Sequence, residues 1–459
     1  MDYPKRFNYC GAKSESMLKA RLQPIFIKRE FNEEYRSQLN TLRELLRDEA
    51  EILNPIPLGE PVSEEIDAVL LPQLSGDVFG LVENLREISK PLLVITSEFG
   101  TMNMWDWELV SFLRSEGIRI IAPYSLKLSK VACRALAAKR RISQSKFVVY
   151  QDRPGEGGKQ DSIFRRFFWW QEKCLERLRS KFGVNVEKRS FKELGKMARD
   201  ISDSEAMNAL RGLSLNISED LTEKALLSAI KLYLALKKDL EKDDSVIGAG
   251  INCLNESDYS DTTPCLAWCL LYEERGLIWA CEADLLSLLT MCIVHFALNV
   301  PVMMSNIYPF LMGQAAIKHE RIPSFPEIVE DPENHILVAH CGYAGLIPRP
   351  FSTNWILRPK VLGIVNENAH AVDARIPVGP VMLVKIDSSM SKLIVIEGAL
   401  KGYVQYPGSD CRNGMIIKVK NGHRVVKKVS SHHQILVPGH HLPEMELISE
   451  IFDLKIEVL

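Results

Sequence analysis

The chain has 459 residues, of which 46% are hydrophobic and 25% charged, and its formal net charge is −2 at pH 7. This length exceeds what one ordinary core accommodates, so we expect two or three domains of a globular protein. The small net charge gives no overall field that would favour nucleic acid or an anionic membrane surface. Ten scattered cysteines are typical of a reducing compartment rather than of a small disulfide-linked scaffold.

The N-terminal stretch MDYPKRFNYCGAKSES lacks the apolar core of a signal peptide. No apolar run in the sequence approaches the roughly 20 residues that cross a bilayer. We therefore expect a cytoplasmic protein with no membrane partner and no nucleic-acid partner.

The first third of the chain alternates short apolar segments with amphipathic ones. Leu22–Ile27, Ile66–Pro72, Lys90–Thr96 and Ile118–Pro123 are typical of buried strands. The segments between them, such as EEYRSQLNTLRELLRDEAEIL and WELVSFLRSEG, predict amphipathic helices. Strands of this length separated by helices predict a parallel sheet with helices on both faces. We assign residues 1–145 to an N-terminal α/β domain.

A second α/β unit begins near Lys146 with the strand-like segment KFVVYQ. Helix-like segments follow in FRRFFWWQEKCLERLRSKFG and LTEKALLSAIKLYLALKKDLEKD, while NVEKRSF, DSVIGAGINCL and GLIWAC predict strands. VPVMMS (Val300–Ser305) supplies another predicted strand. We assign residues 146–331 to this central domain.

The pattern changes again after about Pro332. Short strand-like segments separated by Gly, Pro and Asn turns occur in ILVAHCG, VLGIV, GPVMLVKID, SKLIVIEGAL and GMIIKVKNGHRVVKKV. In the last of these, KNGH predicts a hairpin turn. The alternation predicts an antiparallel barrel or sandwich over residues 332–459.

Acidic residues follow two successive strands of the central unit. Glu256 lies in the loop after the strand near Ser245–Asn252, and Glu282 and Asp284 follow the strand near Leu277–Cys281. Ligands of open α/β sheets bind beyond the carboxyl ends of the strands, and successive parallel strands bring those ends together. Each acid also has a structural explanation: Asp284 is a good N-cap for the helix after it, and Glu256 could be a solvated loop acid. For Glu282 we expect a supporting or helix-dipole role.

Four of the ten histidines lie near the C-terminal end of the sequence, at His432, His433, His440 and His441. Adjacent histidines in a strand point to opposite faces, so we expect at most one of the first two to face a given site. Two carboxylates and one imidazole, with open positions for substrate, suit Mn²⁺ or a similar divalent cation. The alternative is a surface histidine cluster or a hydrogen-bonded core imidazole.

In this order, the segments CLNESD, ACEADLLSLLTM, VPVMMSNIY, ILVAHCG, VGPVMLVKID, LIVIEGAL and SSHHQILVPGHH resemble the L-fucose isomerase and L-arabinose isomerase superfamily. The closer likeness is to L-fucose isomerase-like proteins, and it extends from about Ile247 to the end of the sequence. The resemblance implies two α/β domains, which we predict to be Rossmann-like or flavodoxin-like, followed by a β-rich, barrel-like C-terminal domain.

The resemblance also implies a set of functional residues. Glu256 matches the family's metal-binding Glu, Asp284 its metal-binding Asp, and His433 the second residue of a His–His pair that binds the metal. It implies Mn²⁺ or another divalent cation, with Glu256 and Asp284 also acting as the acid–base pair. A homo-oligomer, either a trimer or a hexamer, is implied as well.

Aldose–ketose interconversion moves one proton between C1 and C2 and another between O1 and O2, which a metal-bound carboxylate pair can perform. We therefore expect a metal-dependent isomerase of a free monosaccharide, a deoxyhexose or a pentose, acting through an enediol. A metal-assisted hydride shift is the other route.

Three features depart from the family pattern: the chain is shorter, Asn306 in SNIYPF stands at an Asp-like place, and His440–His441 is added. These departures bear on the choice of substrate more than on the metal. The change at Asn306 motivates the alternative of a non-catalytic sugar-binding or regulatory relative, and metal-dependent chemistry on another small polyol or keto acid is a third hypothesis.

Three other patterns are interpreted structurally. QDRPGEGGKQDS (Gln151–Ser162) is glycine-rich but lacks the spacing of a phosphate-binding loop, so we expect a surface loop. Cysteines such as Cys265 and Cys269 show no metal-binding spacing and predict buried small side chains. RRFFWWQ (Arg165–Gln171) mixes basic and aromatic residues, which favours a helix that packs its aromatic face over a nucleic-acid surface.

Overall fold

The structure is a computed structural model of the chain. It describes residues 19–27, 31–156, 167–309, 329–340, 347, 349–360, 366–405 and 414–459. The predicted strand VLGIV and residues 157–162 of the predicted glycine-rich loop lie outside these ranges.

The first unit consists of parallel strands and helices. Its elements are β1 (Ala20–Phe26), α1 (Glu33–Leu45), β2 (Ala50–Ile52), β3 (Ile56–Pro57), β4 (Ala68–Leu71), α2 (Val82–Arg86), β5 (Leu92–Val94), α3 (Asp106–Ser115), β6 (Ile120–Ile121) and α4 (Leu126–Ser143). The strands pair in the order β2-β1-β4-β5-β6, with β3 also beside β1, and every pairing is parallel. The four strands predicted here are therefore present in one parallel sheet.

Both faces of this first sheet are covered by helices. In β4, Ala68 and Leu70 enter one hydrophobic cluster together with residues of α1 and α4. Their neighbours Val69 and Leu71 enter a second cluster together with residues of α2 and α3. Because successive side chains of a strand point to opposite faces, the apolar run of β4 is buried on both sides. The predicted arrangement of helices is confirmed.

The second unit also contains a parallel sheet. Its elements are β7 (Lys146–Tyr150), α5 (Glu172–Phe182), β8 (Asn185–Arg189), α6 (Phe191–Asp200), α7 (Asp203–Arg211), α8 (Glu223–Leu240), β9 (Val246–Ile251), α9 (Cys265–Arg275), β10 (Ile278–Cys281) and α10 (Leu285–Leu298). The strand order is β10-β9-β7-β8, and all of these pairings are parallel.

The third unit is rich in antiparallel strands. Its elements are β11 (Met303–Pro309), β12 (His335–Ala339), β13 (Asn354–Pro359), β14 (His370–Arg375), β15 (Gly379–Ile386), β16 (Lys392–Val404), β17 (Gly414–Val419), α11 (Gly422–Lys428), β18 (His433–Pro438), α12 (Leu442–Ile451) and β19 (Lys455–Val458). Six strands pair in the order β15-β18-β11-β12-β17-β16, and pairing of β16 with β15 closes the barrel. The predicted antiparallel barrel is confirmed. Beside it, β19 adds to β16 in parallel, and β13 and β14 form a separate hairpin.

Two predicted local features differ from the structure. The strand predicted at Val300–Ser305 in the central unit is β11, which pairs with β12 and β18 of the barrel and so belongs to the third sheet. The predicted hairpin turn at KNGH is wrong, because Asn421 instead begins helix α11 and its side chain accepts a hydrogen bond from the backbone N–H of Arg424. Asn is a favoured N-cap as well as a turn residue, and here the cap forms.

Helix α10 lies between all three units. It contacts α4, strands β9 and β10 of the central sheet, and strands β15 and β18 of the barrel. All of its residues except Phe296 are buried. A helix that is apolar on every side is expected in such an enclosed position, and the largest hydrophobic cluster accordingly includes residues of all three sheets.

Among the described residues, no helix combines the length and apolarity that crossing a membrane requires.

Helix α12 connects the end of the described chain to the first unit, because it packs against α4. Glu444, in the first turn of α12, forms an ion pair with Lys127 of α4, and its Oε1 lies 3.8 Å from Nδ1 of His441. Burial alone would raise the pKa of Glu444. The neighbouring imidazole of His441 and the ion pair with Lys127 outweigh that effect and lower the pKa to about 2.

We expect Glu444→Gln to lower the free energy of unfolding by about 1 kcal/mol at pH 7. Since the pKa of Glu444 is lower in the folded chain than in the unfolded one, its contribution is fully present above the unfolded pKa and is lost as the pH falls toward 2. Urea denaturation of both proteins between pH 7 and pH 3 measures this. Glu446→Gln, at an exposed position of the same helix, is the control. A difference between wild type and Glu444→Gln that does not shrink in acid would contradict the prediction.

Candidate functional site

The candidate site lies where two parallel strands of the central sheet end. Strands β9 and β10 are neighbours, with Ile251 opposite Cys281, so their carboxyl ends meet at one edge. Glu256 follows the first strand, and Glu282 and Asp284 follow the second. All three side chains are buried. The sulfur atoms of Cys253 and Cys281 are 3.5 Å apart, so the two strand ends are in direct contact.

The turn after β10 has an unusual backbone. Glu282 and Ala283 both have positive φ, at 53° and 50°. Each left-handed non-glycine residue costs roughly 1 kcal/mol, so other contacts must hold this turn. The indole N–H groups of Trp169 and Trp170 donate to the Glu282 carbonyl at 3.2 and 2.8 Å. The Ala283 N–H donates to the Ile251 carbonyl at 3.1 Å, which fixes the turn to β9.

Gly250 leaves room for this turn. A Cβ atom at Gly250 would lie 3.0 Å from Cα of Ala283 and 3.1 Å from the carbonyl oxygen of Ala280. Real Cβ atoms rarely approach backbone so closely, so a larger residue here would displace the turn that carries Glu282. The glycine is therefore required by a close approach of backbone.

Asp284 is fully buried and accepts five hydrogen bonds. Its Oδ1 accepts from the backbone N–H groups of Leu286 and Ser287 at 3.0 Å each, which makes Asp284 the N-cap of α10, as its sequence position predicts. Its Oδ2 accepts from Ser287 Oγ at 2.8 Å, from Lys385 Nζ at 2.7 Å and from His433 Nδ1 at 2.7 Å. A carboxylate has about four lone-pair positions. In this arrangement Asp284 has none left for a metal ion.

Lys385 supplies the charge that neutralises Asp284. It lies in β15 of the barrel, and neither side chain of the pair has any exposed surface. Burial by itself would raise the pKa of Asp284, but Lys385 and His433 outweigh it and hold the pKa of this carboxyl well below its usual range. An isolated buried carboxylate would be very costly, so this ion pair joins the barrel to the start of α10.

The contact with Asp284 fixes the orientation of His433. Because Nδ1 of His433 lies 2.7 Å from the carboxylate of Asp284, we assign the ring proton to Nδ1. The other ring nitrogen, Nε2, lies 3.8 Å from Oε2 of Glu282. Metal-binding histidines commonly donate the opposite N–H to a carboxylate in this way. Asp284 therefore stands in the position of a group that orients a ligand.

Three side chains at this edge of the sheet offer a set of metal ligands. Glu282, His432 and His433 each present one ligand atom, and these atoms lie within 4.8 Å of one another. Burial lowers the pKa of both histidines, most strongly that of His432. Neutral imidazoles and an ionised carboxylate are the forms that bind metals. Two imidazoles and one carboxylate, with positions left open, fit a divalent transition-metal ion.

The expectation that only one of the paired histidines faces the site is wrong. The rings of His432 and His433 have centroids 4.1 Å apart, and both offer ligand atoms to the same group. Strand β18 begins at His433, so His432 lies before the strand and the alternation of side chains does not apply to it. Phe167 and Trp169 pack against the two rings, with centroids 5.8 and 5.2 Å away.

Glu256 bonds to the segment after β7, whereas Asp284 and His433 bond to each other. Its carboxylate accepts from the backbone N–H groups of Asp152 and Arg153 at 2.6 and 2.9 Å, and from the side-chain amide of Asn252 at 3.1 Å. Burial raises the pKa of Glu256 despite these hydrogen bonds. Of the three residues predicted to bind metal, only His433 belongs to the group found among the described residues. Asp284 contacts His433 from outside that group, and Glu256 is also outside it.

Several residues of the site were not predicted from the sequence. From the sequence, Lys385 was assigned only to a predicted strand. The single lysine in the apolar run GPVMLVKI was a signal that could have been used, because a buried lysine needs an acidic partner. The predicted aromatic helix at RRFFWWQ is, within the described part, a short 3₁₀ helix at Phe168–Trp170. Its two tryptophans are buried, as that interpretation requires.

Asn306, the departure in SNIYPF, lies opposite His433 in the pairing of β11 with β18.

The predicted burial of the cysteines is confirmed for the seven cysteines that lie in the described part of the chain. These residues are buried: Cys133, Cys174, Cys253, Cys265, Cys269, Cys281 and Cys292.

We expect Lys385→Met to lower the free energy of unfolding by about 3–5 kcal/mol, because it leaves the Asp284 carboxylate buried without its cation. Adding Asp284→Asn to this variant removes the buried charge and should recover part of the loss. Urea denaturation of both variants measures the difference. Lys392→Met is the matched control, since Lys392 is 45% exposed and pairs with Glu457 at 3.5 Å. Equal losses for Lys385→Met and Lys392→Met would contradict the role assigned to the buried pair.

No protein-family model matches the chain, and a search among curated proteins finds no match.

Proposed function

We propose that the chain is a metal-dependent aldose–ketose isomerase of a free monosaccharide, a deoxyhexose or a pentose. The class of reaction comes from the resemblance to the L-fucose isomerase and L-arabinose isomerase superfamily. The observation that carries the proposal is the group formed by Glu282, His432 and His433 at the carboxyl edge of a parallel sheet. Ligands of open α/β sheets bind at this edge.

We further propose that the two α/β units are flavodoxin-like domains. Numbered along the chain within each unit, with β2 and β3 counted together, the strands pair as 2-1-3-4-5 in the first sheet and as 2-1-3-4 in the second. The first of these is the order of flavodoxin-like sheets. A trimer or hexamer belongs to the same proposal through the resemblance, and a cytoplasmic location belongs to it through the ten scattered cysteines, which are typical of a reducing compartment.

In this proposal Glu282, His432 and His433 bind Mn²⁺ or another divalent cation. The ion would act as a Lewis acid toward the hydroxyl and carbonyl oxygens of the sugar. Asp284 then acts as a positioning residue, because it holds the Nδ1 side of His433 and directs Nε2 toward Glu282. Lys385 keeps Asp284 ionised for this task.

Glu256 is the group we assign to proton transfer at carbon. Its pKa is raised by burial, which brings a carboxylate closer to the pH at which it can both accept and return a proton. Among the described residues, three donors contact its oxygens, and of these only the N–H of Asp152 contacts Oε2. One lone-pair position of Oε2 therefore remains for a substrate proton. The sequence predicts a different ligand set, Glu256, Asp284 and His433. The two sets have His433 in common.

The second candidate function is a non-catalytic sugar-binding or regulatory relative. It is favoured by Lys385, whose ammonium group contacts Oδ2 of Asp284. Asp284 is the carboxylate that the resemblance assigns to the metal. The ammonium group of Lys385 at that carboxylate would take the structural place of the ion.

The Mn²⁺ affinity of single variants distinguishes the ligand set Glu282, His432 and His433 from the sequence-predicted set. We expect Mn²⁺ added to chelator-treated protein to raise the melting temperature of the wild type. Glu282→Gln and His432→Gln should weaken Mn²⁺ binding at least about 10-fold, measured by isothermal titration. Glu256→Gln should leave it unchanged, as should His440→Gln at a histidine that is 54% exposed. The reverse pattern, with loss in Glu256→Gln and Asp284→Asn and none in Glu282→Gln, would assign the ion to the sequence-predicted set.

Turnover distinguishes the two functions. After chelator treatment and restoration of Mn²⁺, we expect ketose to form from at least one aldopentose or deoxyhexose. In D₂O, deuterium should enter at C2 of the sugar, as an enediol route requires. Glu256→Gln should lower kcat by about 10²–10⁴-fold while Mn²⁺ binding persists. Metal binding without turnover of any sugar would favour the non-catalytic relative, and absence of both would refute the isomerase.

A further inference from the structure

Two cysteine side chains meet at the carboxyl edge of the central sheet. Cys253 lies in the loop after β9, and Cys281 is the last residue of β10. Both side chains are thiols, and their sulfur atoms are 3.5 Å apart. The sulfur atoms of a disulfide are about 2.05 Å apart, so the two would have to approach by roughly 1.5 Å to form a bond. The pair is therefore close to the separation of a disulfide without being one.

The backbone around Cys281 is held in place on both sides. Cys281 lies opposite Ile251 in the pairing of β10 with β9. The N–H of Ala283 donates to the carbonyl of Ile251 at 3.1 Å, and the N–H of Asp284 donates to the carbonyl of Cys281 at 3.0 Å. Because these hydrogen bonds fix the turn against β9, the two sulfur atoms are kept near each other.

This pair is the most accessible of the described cysteines. The exposed fraction is 4% for Cys253 and 7% for Cys281. A hydroperoxide as small as hydrogen peroxide is little larger than water, so a narrow opening admits it. The remaining described cysteines are at most 1% exposed, and they are Cys133, Cys174, Cys265, Cys269 and Cys292.

The deeply buried cysteines are also poor nucleophiles. Burial raises the pKa of Cys133 and of Cys174 to about 12, and it raises the pKa of Cys269 and of Cys292 as well. Reaction with an oxidant requires the thiolate. These side chains are therefore expected to stay reduced while a more accessible pair reacts.

From these observations we propose that Cys253 and Cys281 are a redox modification site, at which a hydroperoxide produces a reversible disulfide. The bond links the segment that carries Glu256 to the turn that carries Glu282. In reducing compartments disulfides are usually transient and serve redox sensing or catalysis. The reaction needs neither a metal ion nor a sugar, so it does not depend on the isomerase assignment.

The oxidation proceeds in two steps. Hydrogen peroxide first converts one thiol to a sulfenic acid, as an S–O bond forms, the O–O bond breaks and one water leaves. The second sulfur then attacks the sulfenic sulfur, and the hydroxyl group leaves with the thiol proton as a second water. The two thiols together lose two electrons and two protons, which the peroxide takes up. An added thiol reverses the reaction by exchange.

Peptide mapping by mass spectrometry tests the proposal. The reduced full chain is treated with hydrogen peroxide, and its remaining thiols are alkylated in denaturant before digestion. We expect a linked pair of peptides that contains Cys253 and Cys281 and is about 2 Da lighter than the two thiol peptides together. Dithiothreitol should separate them. The other described cysteines should be recovered in alkylated form.

Variants of single cysteines separate the pair from general oxidation. In Cys253→Ser, the sulfenic acid of Cys281 has lost its partner, so Cys281 should proceed to sulfinic acid with a gain of about 32 Da. Cys292→Ala removes a fully buried cysteine and is the matched control, in which the link should still form. Circular dichroism confirms that each variant is folded.

Three results would refute the proposal. The first is that peroxide leaves Cys253 and Cys281 as thiols in the wild type. The second is that either sulfur links instead to a cysteine outside the described residues, namely Cys10, Cys341 or Cys411. The third is that the wild type forms sulfinic acid in place of the link. Sugar turnover enters none of these readouts, so such a result would leave the proposed function standing.

Discussion

The buried carboxylate of Asp284 is the contact on which the arrangement of the three units depends. It caps α10 through the N–H groups of Leu286 and Ser287, and it binds Lys385 from β15 and His433 from β18. A charge without any exposed surface is tolerated only when every lone pair is satisfied. The central sheet, the helix and the barrel must therefore assemble around this group in a single relative position. The same contact determines which nitrogen of His433 is available at the site.

Much of the fold could be predicted because local sequence carries its signals. Inner strands of the parallel sheets, such as β4, β5 and β9, are continuous apolar runs, and the two clusters on either side of β4 show that helices cover both faces there. The errors arise where the decisive partner is distant in sequence. VPVMMS is a strand, as predicted, but its neighbours β12 and β18 lie in the barrel. At KNGH, β17 is already paired on both sides by β12 and β16, so the segment after it forms a helix.

The candidate site was less predictable than the fold. Asp284 was singled out by its position after a strand and His433 through the family resemblance, and the two side chains are in contact. Their chemical roles depend on side chains that no local pattern connects to them. Lys385, 101 positions after Asp284, saturates the carboxylate. The left-handed turn at Glu282 depends on hydrogen bonds from Trp169 and Trp170, which precede it by more than 100 positions. Sequence spacing cannot reveal such contacts.

Closure of the barrel has a consequence for the order in which this molecule can form. Strand β18 lies between β15 and β11, so it completes the ring of strands, and β11 follows α10 directly in sequence. All strands of the central sheet, and the helices that cover them, precede His432 and His433 in the chain and are therefore synthesised first. Ribosomal synthesis proceeds from the N-terminus, and domains generally fold as they emerge. A nascent chain that has reached β17 therefore has the two α/β sheets available to fold, but β11 and β15 still lack the strand between them and Asp284 still lacks its imidazole. The group formed by Glu282, His432 and His433 is consequently completed late, after its scaffold.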